Sequence, residues 1–128
     1  MSDQPEGDLT LRTVAMPADT NPSGDIFGGW VLSQMDLAGG IAASEYSGGR
    51  VVTVGIEAMR FWKPVRVGDI LCVYCKVLRT GTTSVAIDIE AWVLRRLSRE
   101  KFKVTEGVFS FVALDDTGTK TQVPARPA

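Results

Sequence analysis

The sequence predicts one α+β domain: a single antiparallel sheet with one long helix laid across it. Three observations carry that prediction. The first is the order of patterns along the chain, a short strand, then about twenty residues of helical periodicity, then four strand-like runs in succession. The second is size and balance: 128 residues, 45% hydrophobic and 23% charged, make one globular domain, and about two-thirds of the unfolded surface is buried at this length, so no staple is needed. The third is the lack of any internal repeat or low-complexity stretch that would suggest an array or a disordered chain.

The elements follow in order. Residues 1–8 are polar and acidic and are expected to be flexible, and residues 9–16 alternate as a first short strand. Pro17 to Asp25 is dense in turn formers and reads as a structured loop. From Ile26 to about Glu45, Phe27, Val31, Met35, Ala38 and Ala42 fall along one side of a helix, and Trp30, Leu37 and Ile41 widen that side, so the helix is expected to be mostly buried. Ser44 to Gly49 ends it, Gly48 and Gly49 supplying the exit turn. Residues 50–62 alternate Val52, Val54, Ile56 and Ala58 against Thr53, Gly55, Glu57 and Met59, and Pro64 to Asp69 is a bend. Residues 70–79 are apolar on both faces, Thr80 to Thr83 turn, and residues 84–94 place Val85, Ile87, Ile89, Ala91 and Val93 opposite a wet face of Ser84, Asp88 and Glu90. A basic link, 95–101, leads to a last strand at about 102–114, closed by Asp115 to Gly118. The folded domain is therefore expected to span 9–118, with a loose tail over 119–128.

One helix cannot cover both faces of five strands, and the run from Val51 to Phe61 is apolar enough to seek a partner along its edge. A homo-oligomer is expected.

Composition removes several functions. Fourteen basic and fifteen acidic residues leave a net charge of −1, too little field to hold a nucleic-acid backbone. No stretch approaches the roughly 20 apolar residues of a membrane span, the segment 27–43 being broken by Ser33, Gln34 and Asp36. The start lacks the basic and apolar regions of a secretory signal, so a cytoplasmic location is expected. The chain has no histidine, which eliminates Ser-His-Asp and Cys-His hydrolysis, His-ligated zinc and His-based dehydration. Cys72 and Cys75 point to opposite faces of a strand and have no second pair to complete a metal site, so they read as inert, reduced thiols and no metal is expected.

Candidate chemistry concentrates in Asp19 to Trp30 and the helix behind it. Gly28 and Gly29 cost about 1 kcal/mol each in a helix and leave free N–H groups at its start, where an oxyanion would bind; a tight turn into the helix explains them equally well. Asp36 is a carboxylate in a segment otherwise built for burial, seven residues and about 10 Å after Gly29 on the same side. Ser33, Gly39 and Gly40 beside it leave room for a ligand or let a strand pack close. A locally satisfied Asp is the structural alternative.

The run from Ala15 to Asp36 (Ala-Met-Pro-Ala-Asp-Thr-Asn-Pro-Ser-Gly-Asp-Ile-Phe-Gly-Gly-Trp-Val-Leu-Ser-Gln-Met-Asp) closely resembles the hotdog-fold acyl-CoA thioesterases, in particular their YciA-like branch. Arg50 to Glu57, Phe61 to Asp69, Gly81 to Ser84 and Val104 to Asp115 resemble the same pattern, so the likeness covers roughly 9–118. It implies a five-stranded sheet wrapped around the long helix, dimers joined edge to edge and assembled as trimers of dimers, and hydrolysis of acyl-coenzyme A to a free acid and coenzyme A. No separate cofactor is implied, coenzyme A being part of substrate and product. By the same resemblance Asp36 is the catalytic carboxylate, Asn21 comes from the partner subunit, and the amides of Gly28 and Gly29 face the thioester carbonyl.

Asp36 then acts as general base to a water oriented by Asn21, or attacks directly to give an anhydride. Thr53 and Phe27 are placed in the substrate pocket, Thr53 being otherwise an ordinary strand former. Coenzyme A is a polyanion, so Lys63, Arg66, Arg79 and the turn Gly81, Thr82, Thr83, Ser84 are candidates for its phosphates, against the alternative of solvated surface charge. Trp30, Met35, Phe61 and Trp62 serve an acyl tunnel or plain core. The chain departs from some relatives at Gly55, Arg60 and Thr82. The rival function is an acyl-CoA binding or sensing protein that keeps the pocket without the chemistry.

Overall fold

The structure, a computed structural model, describes residues 4–124. Strand β1 (Asp8–Val14) is followed by a short 3-10 turn (Pro17–Asp19), helix α1 (Gly28–Ser47), and strands β2 (Arg50–Phe61), β3 (Ile70–Thr80), β4 (Ser84–Leu94) and β5 (Lys101–Leu114). All pairings are antiparallel and the sheet order is β1-β3-β4-β5-β2. Helix α1 packs against all five strands, so the sheet wraps around it as expected.

The helix is displaced by two residues from its predicted limits. Ile26 remains extended, its side chain buried, its N–H donating to Val65 O and its backbone bridged to Thr20, so the helix starts only after Phe27. At the other end Gly48 takes a left-handed φ of 81° and donates to Ser44 O, a conformation that glycine adopts without penalty. Val31, Met35, Ala38 and Ala43 enter the core against Leu71, Val73, Ile87, Ile89, Phe109 and Phe111. Gly39 is fixed by this packing: a Cβ there would lie 2.5 Å from Ile89 Cδ1 and 2.8 Å from Phe111 Cζ.

Three expectations about burial are corrected. The helix is buried on one side only, with Leu37 56% and Ile41 40% exposed and Phe27 also exposed, because the wide apolar arc exceeds what one sheet can cover. The face of β4 expected to be wet is largely dry: Glu90 is 3% exposed, accepting from Trp92 Nε1 at 2.8 Å with Lys103 Nζ 3.7 Å away, and Lys101 and Lys103 lie over the Trp92 ring. The segment after β5 is pinned rather than loose, since Thr121 N donates to Ala113 O, Val123 N donates to Thr82 O, and Val123 is buried. Residues 125–128 of the expected tail and 1–3 of the expected flexible start lie outside the described residues.

Strand β2 lies at the edge of the sheet, paired on one side with β5. Two bulges, after Thr53 and after Glu57, interrupt that pairing, and the second holds Ala58 at φ 56°. Val52, Val54 and Ile56 are exposed, Val54 by 60%; Val52 points away from the face of core residues Phe109 and Phe111, whereas the bulge after Thr53 sets Ile56 opposite Phe109, where it is left uncovered at the sheet edge. Cys72 and Cys75 are free thiols on opposite faces: Cys75 joins the core, where burial pushes its thiol up to about 11, while Cys72 accepts a hydrogen bond from Arg12 Nε.

Candidate active site

Helix α1 runs antiparallel to β2, so its first turn lies beside the Phe61 end of the strand and Asp36 beside the Thr53 end. Thr53 Oγ1 donates to Asp36 Oδ1 at 2.5 Å, the only hydrogen bond to this carboxylate among the described residues. Asp36 is half-buried, and its second oxygen is left for solvent or a ligand. The two residues open into a groove of about 580 Å³ between the helix and β2, with Gly40, Ile41, Val51 and Phe111 along it.

Asn21 belongs to a different cleft. Its Oδ1 accepts from Ser23 N at 3.0 Å and Asp25 N at 3.1 Å, a turn that leaves the amide nitrogen to project from the loop. The cleft, of about 370 Å³, also contains Gly28, Phe61, Trp62 and Lys63. No side chain caps the helix start, and the N–H groups of Gly28 and Gly29 have no acceptor among the described residues.

Nothing within the chain demands glycine at these two positions. Neither has a positive φ, a Cβ on Gly29 would meet nothing within 4 Å, and one on Gly28 would make ordinary contact with Phe61 at 3.6 Å. The turn alternative weighed from the sequence therefore loses its support, and the cost in helix propensity is to be explained by something that approaches from outside.

The candidate phosphate ligands do not converge in one chain. Lys63 lies over the Phe102 ring at 5.0 Å and Arg66 is in the 64–69 bend, whereas Arg79 reaches Glu57 at 3.5 Å in an exposed pair at the far end of β3. Most of the length of β3, about 25–30 Å, separates these groups. Thr53 pairs with Phe111, Phe111 with Val85 and Val85 with Thr80, so the turn of Gly81, Thr82, Thr83 and Ser84 is at the same end of the sheet as Asp36. Gly81 N donates to Ser84 O at 2.8 Å, closing that turn. Of the tunnel candidates, Met35 is core, Trp30 packs against the core, and Phe61 and Trp62 are half-exposed.

Asp69, which the sequence offered only as the end of the Phe61 to Asp69 stretch, makes the shortest salt bridge among the described residues. It is 3% exposed, accepts from Arg95 Nε and Nη2 at 3.0 Å each, and accepts from Arg66 N at 2.9 Å. The signal that would have found it is an acidic residue closing a bend opposite a basic link. Among the described residues one acidic trio, Glu6, Asp88 and Glu90, brings its oxygens within 4.8 Å of one another, and Lys103 stands beside Glu90.

Comparison with known proteins places this geometry among relatives. The family model described as Thioesterase superfamily matches residues 23–97. The Acyl-CoA thioester hydrolase YciA of Escherichia coli is 53% identical over 94% of this chain and 93% of its own length. The hexameric thioesterase y2039 of Yersinia pestis superposes with a TM-score of 0.91 at 51% identity, covering 96% of this chain and 100% of that one. An acyl-CoA hydrolase of Staphylococcus aureus, solved in complex with butyryl coenzyme A and coenzyme A, gives a TM-score of 0.82 at 30% identity over 90% of this chain and 70% of that one. The latter has also been solved with one asparagine and with one aspartate replaced by alanine.

Proposed function

We propose, for a chain that belongs to the thioesterase superfamily and within it to the YciA-like hotdog proteins, hydrolysis of acyl-coenzyme A by a site completed between two subunits. The observation that carries the reading is Asp36, a half-buried carboxylate with one oxygen engaged by Thr53 and the other open to a groove at a free sheet edge. The relatives' activity supports the reaction class.

The free edge of β2 explains how the two clefts meet. Pairing β2 with a second copy about a two-fold axis near its midpoint sets the Thr53 end of one strand beside the Phe61 end of the other. It also gives the unpaired backbone groups of the β2 edge their partners. The Asn21 cleft of one subunit then faces the Asp36 groove of its partner, and the unpaired amides of Gly28 and Gly29 travel with Asn21. The two residues mutated in the Staphylococcus aureus enzyme, an asparagine and an aspartate, are separated by the same interval as Asn21 and Asp36.

In this arrangement the helix-start amides donate to the thioester oxygen as negative charge develops on it. Asn21 orients a water, and Asp36 takes a proton from that water as its oxygen attacks the carbonyl carbon. Collapse of the adduct breaks the C–S bond, and the proton passes to the departing thiolate, giving a free acid and coenzyme A. The Gly81 to Ser84 turn, at the Asp36 end, is better placed for the phosphates than Lys63 and Arg66 of the same chain, which reach this site from the partner. Assembly into hexamers and a cytoplasmic location complete the reading, the Yersinia pestis neighbour being a hexamer. Among the described residues no helix is long and apolar enough to cross a membrane.

Free-thiol release from a panel of acyl-CoAs tests the reaction, wild type against Asp36→Ala. Subunit mixing tests the shared site: Asn21→Ala and Asp36→Ala proteins, each inactive, recover about a quarter of wild-type activity when randomly reassociated, because each mixed dimer has one intact site. Binding of acyl-CoA without thiol release favours the sensing protein, and mixing without recovery places the whole site in one chain.

A further inference from the structure

We infer that Gly40 is the position that sets acyl-chain length, the acyl tail lying over it in the groove that leads away from Asp36; this rests on the thioesterase reading above. Helix α1 contains two adjacent glycines, and the structure accounts for one of them. Gly39 is required by the close approach of Ile89 and Phe111. Gly40 has no positive φ, and the nearest atom to a Cβ built on it is Phe111 Cε2 at 4.0 Å. A mid-helix glycine costs about 1 kcal/mol relative to alanine, and no packing inside the chain offsets it here.

What Gly40 does provide is the floor of the groove. It lies one turn after Asp36 and one turn before Ser44 on the same side of the helix, so the bare backbone begins about 6 Å beyond the carboxylate. Leu37 and Ile41, half-exposed on the helix, form one wall, and Val51 and Phe111 of the sheet form the other. The apolar stretch ends at Ser44, Glu45 and Arg50, about 12 Å from Asp36. An apolar trough of that reach, with a carboxylate at its head and polar groups at its foot, fits a linear acyl chain of short to medium length. Side-chain atoms at position 40 would occupy the space of the chain's methylenes and leave the thioester end untouched.

The test is a chain-length profile of kcat/KM on acetyl-, butyryl-, hexanoyl- and decanoyl-CoA for wild type, Gly40→Ala and Gly40→Leu. Gly40→Leu is expected to lose at least about tenfold on hexanoyl-CoA and longer relative to acetyl-CoA. Gly40→Ala, which adds helix propensity and keeps the fold, is expected to shift the profile in the same direction by less. A profile that stays parallel to wild type in Gly40→Ala and in folded Gly40→Leu overturns the inference while leaving the hydrolytic function intact. Should wild type cleave none of the four thioesters, the proposed reaction fails, and calorimetric binding of the same acyl-CoAs still decides the groove: a length-dependent loss of affinity in the variants sustains it, and equal affinities overturn it.

Discussion

Asp36 and Asp69 are both carboxylates drawn into the protein, and they differ in how much of each is spoken for. Asp69 is closed: both oxygens accept from Arg95, one also from a backbone amide, and solvent reaches 3% of it. Hydrogen bonding to Asp69 is in turn the main influence that raises the pKa of the Arg95 guanidinium, which is charged with or without it. Asp36 has one partner, Thr53, and faces a groove. A saturated carboxylate fixes the bend between β2 and β3 and has nothing left to offer a substrate, whereas one with an open oxygen is able to take a proton. Residue type does not separate the two roles; exposure and the hydrogen-bond inventory do.

Substitution of each residue sharpens the contrast, beginning with the largest effect. Asp36→Asn is expected to lower thiol release by about 10²–10⁴-fold, the contribution of a positioned general base. Its unfolding free energy should stay within about 0.5 kcal/mol of wild type, and a large loss of stability would erase the distinction. Asp69→Ala is expected to do the reverse. It leaves Arg95 without its partner in a partly buried site, at a cost of about 3–5 kcal/mol in chemical denaturation, while activity per folded molecule persists. If the folded fraction of that variant is inactive, Asp69 has a part in the chemistry.

Thr53→Val removes the single bond that orients Asp36 and keeps the shape of the strand residue. The expected loss is about 1–2 kcal/mol of transition-state stabilisation, read in kcat with KM little changed, with stability nearly intact. A fall in KM-dependent terms alone would make Thr53 part of the pocket wall. The smallest effect concerns a third carboxylate, Asp88, crowded by its own kind: burial, then Glu106, Glu90 and Glu6, raise its pKa, and Lys103 offsets them in part. Because the folded value lies above the unfolded one, the stability this group supplies is greatest in acid and is lost as pH rises through the raised value. Asp88→Asn should therefore raise the melting temperature near neutral pH, and the gain should vanish below about pH 3, where both forms are uncharged. A gain that is independent of pH would mean that packing and not charge is responsible.

Much of the candidate site was legible because its residues contradict their surroundings. An Asp in an apolar helix and two glycines at a helix start stand out against propensity, and the structure gives neither a sufficient reason within its own chain, whereas Asn21 is an ordinary turn former whose Oδ1 closes its own loop and was marked only by the resemblance. The phosphate ligands were not legible. Lys63, Arg66 and Arg79 differ from other surface cations only in where the fold carries them, the first two lying before β3 and Arg79 near its far end. Asp69 was overlooked for a related reason, since its partner Arg95 is twenty-six residues away and meets it only when β3 and β4 pair.

The sequence by itself determined the succession of elements, the α+β class, the absence of histidine chemistry and the segment that holds the candidate catalytic residues, because periodicity, turn formers and composition are local properties. Tertiary structure decided which apolar residues are interior. Leu37, Ile41, Val52, Val54 and Ile56 belong to the same patterns as the core, yet they remain at the surface, since one sheet wrapped around one helix has too little area to cover them all. It also decided that Asn21 and Asp36 occupy separate clefts in a single chain, a consequence of the helix running antiparallel to an edge strand, and the proposed shared site therefore draws on the free edge of β2.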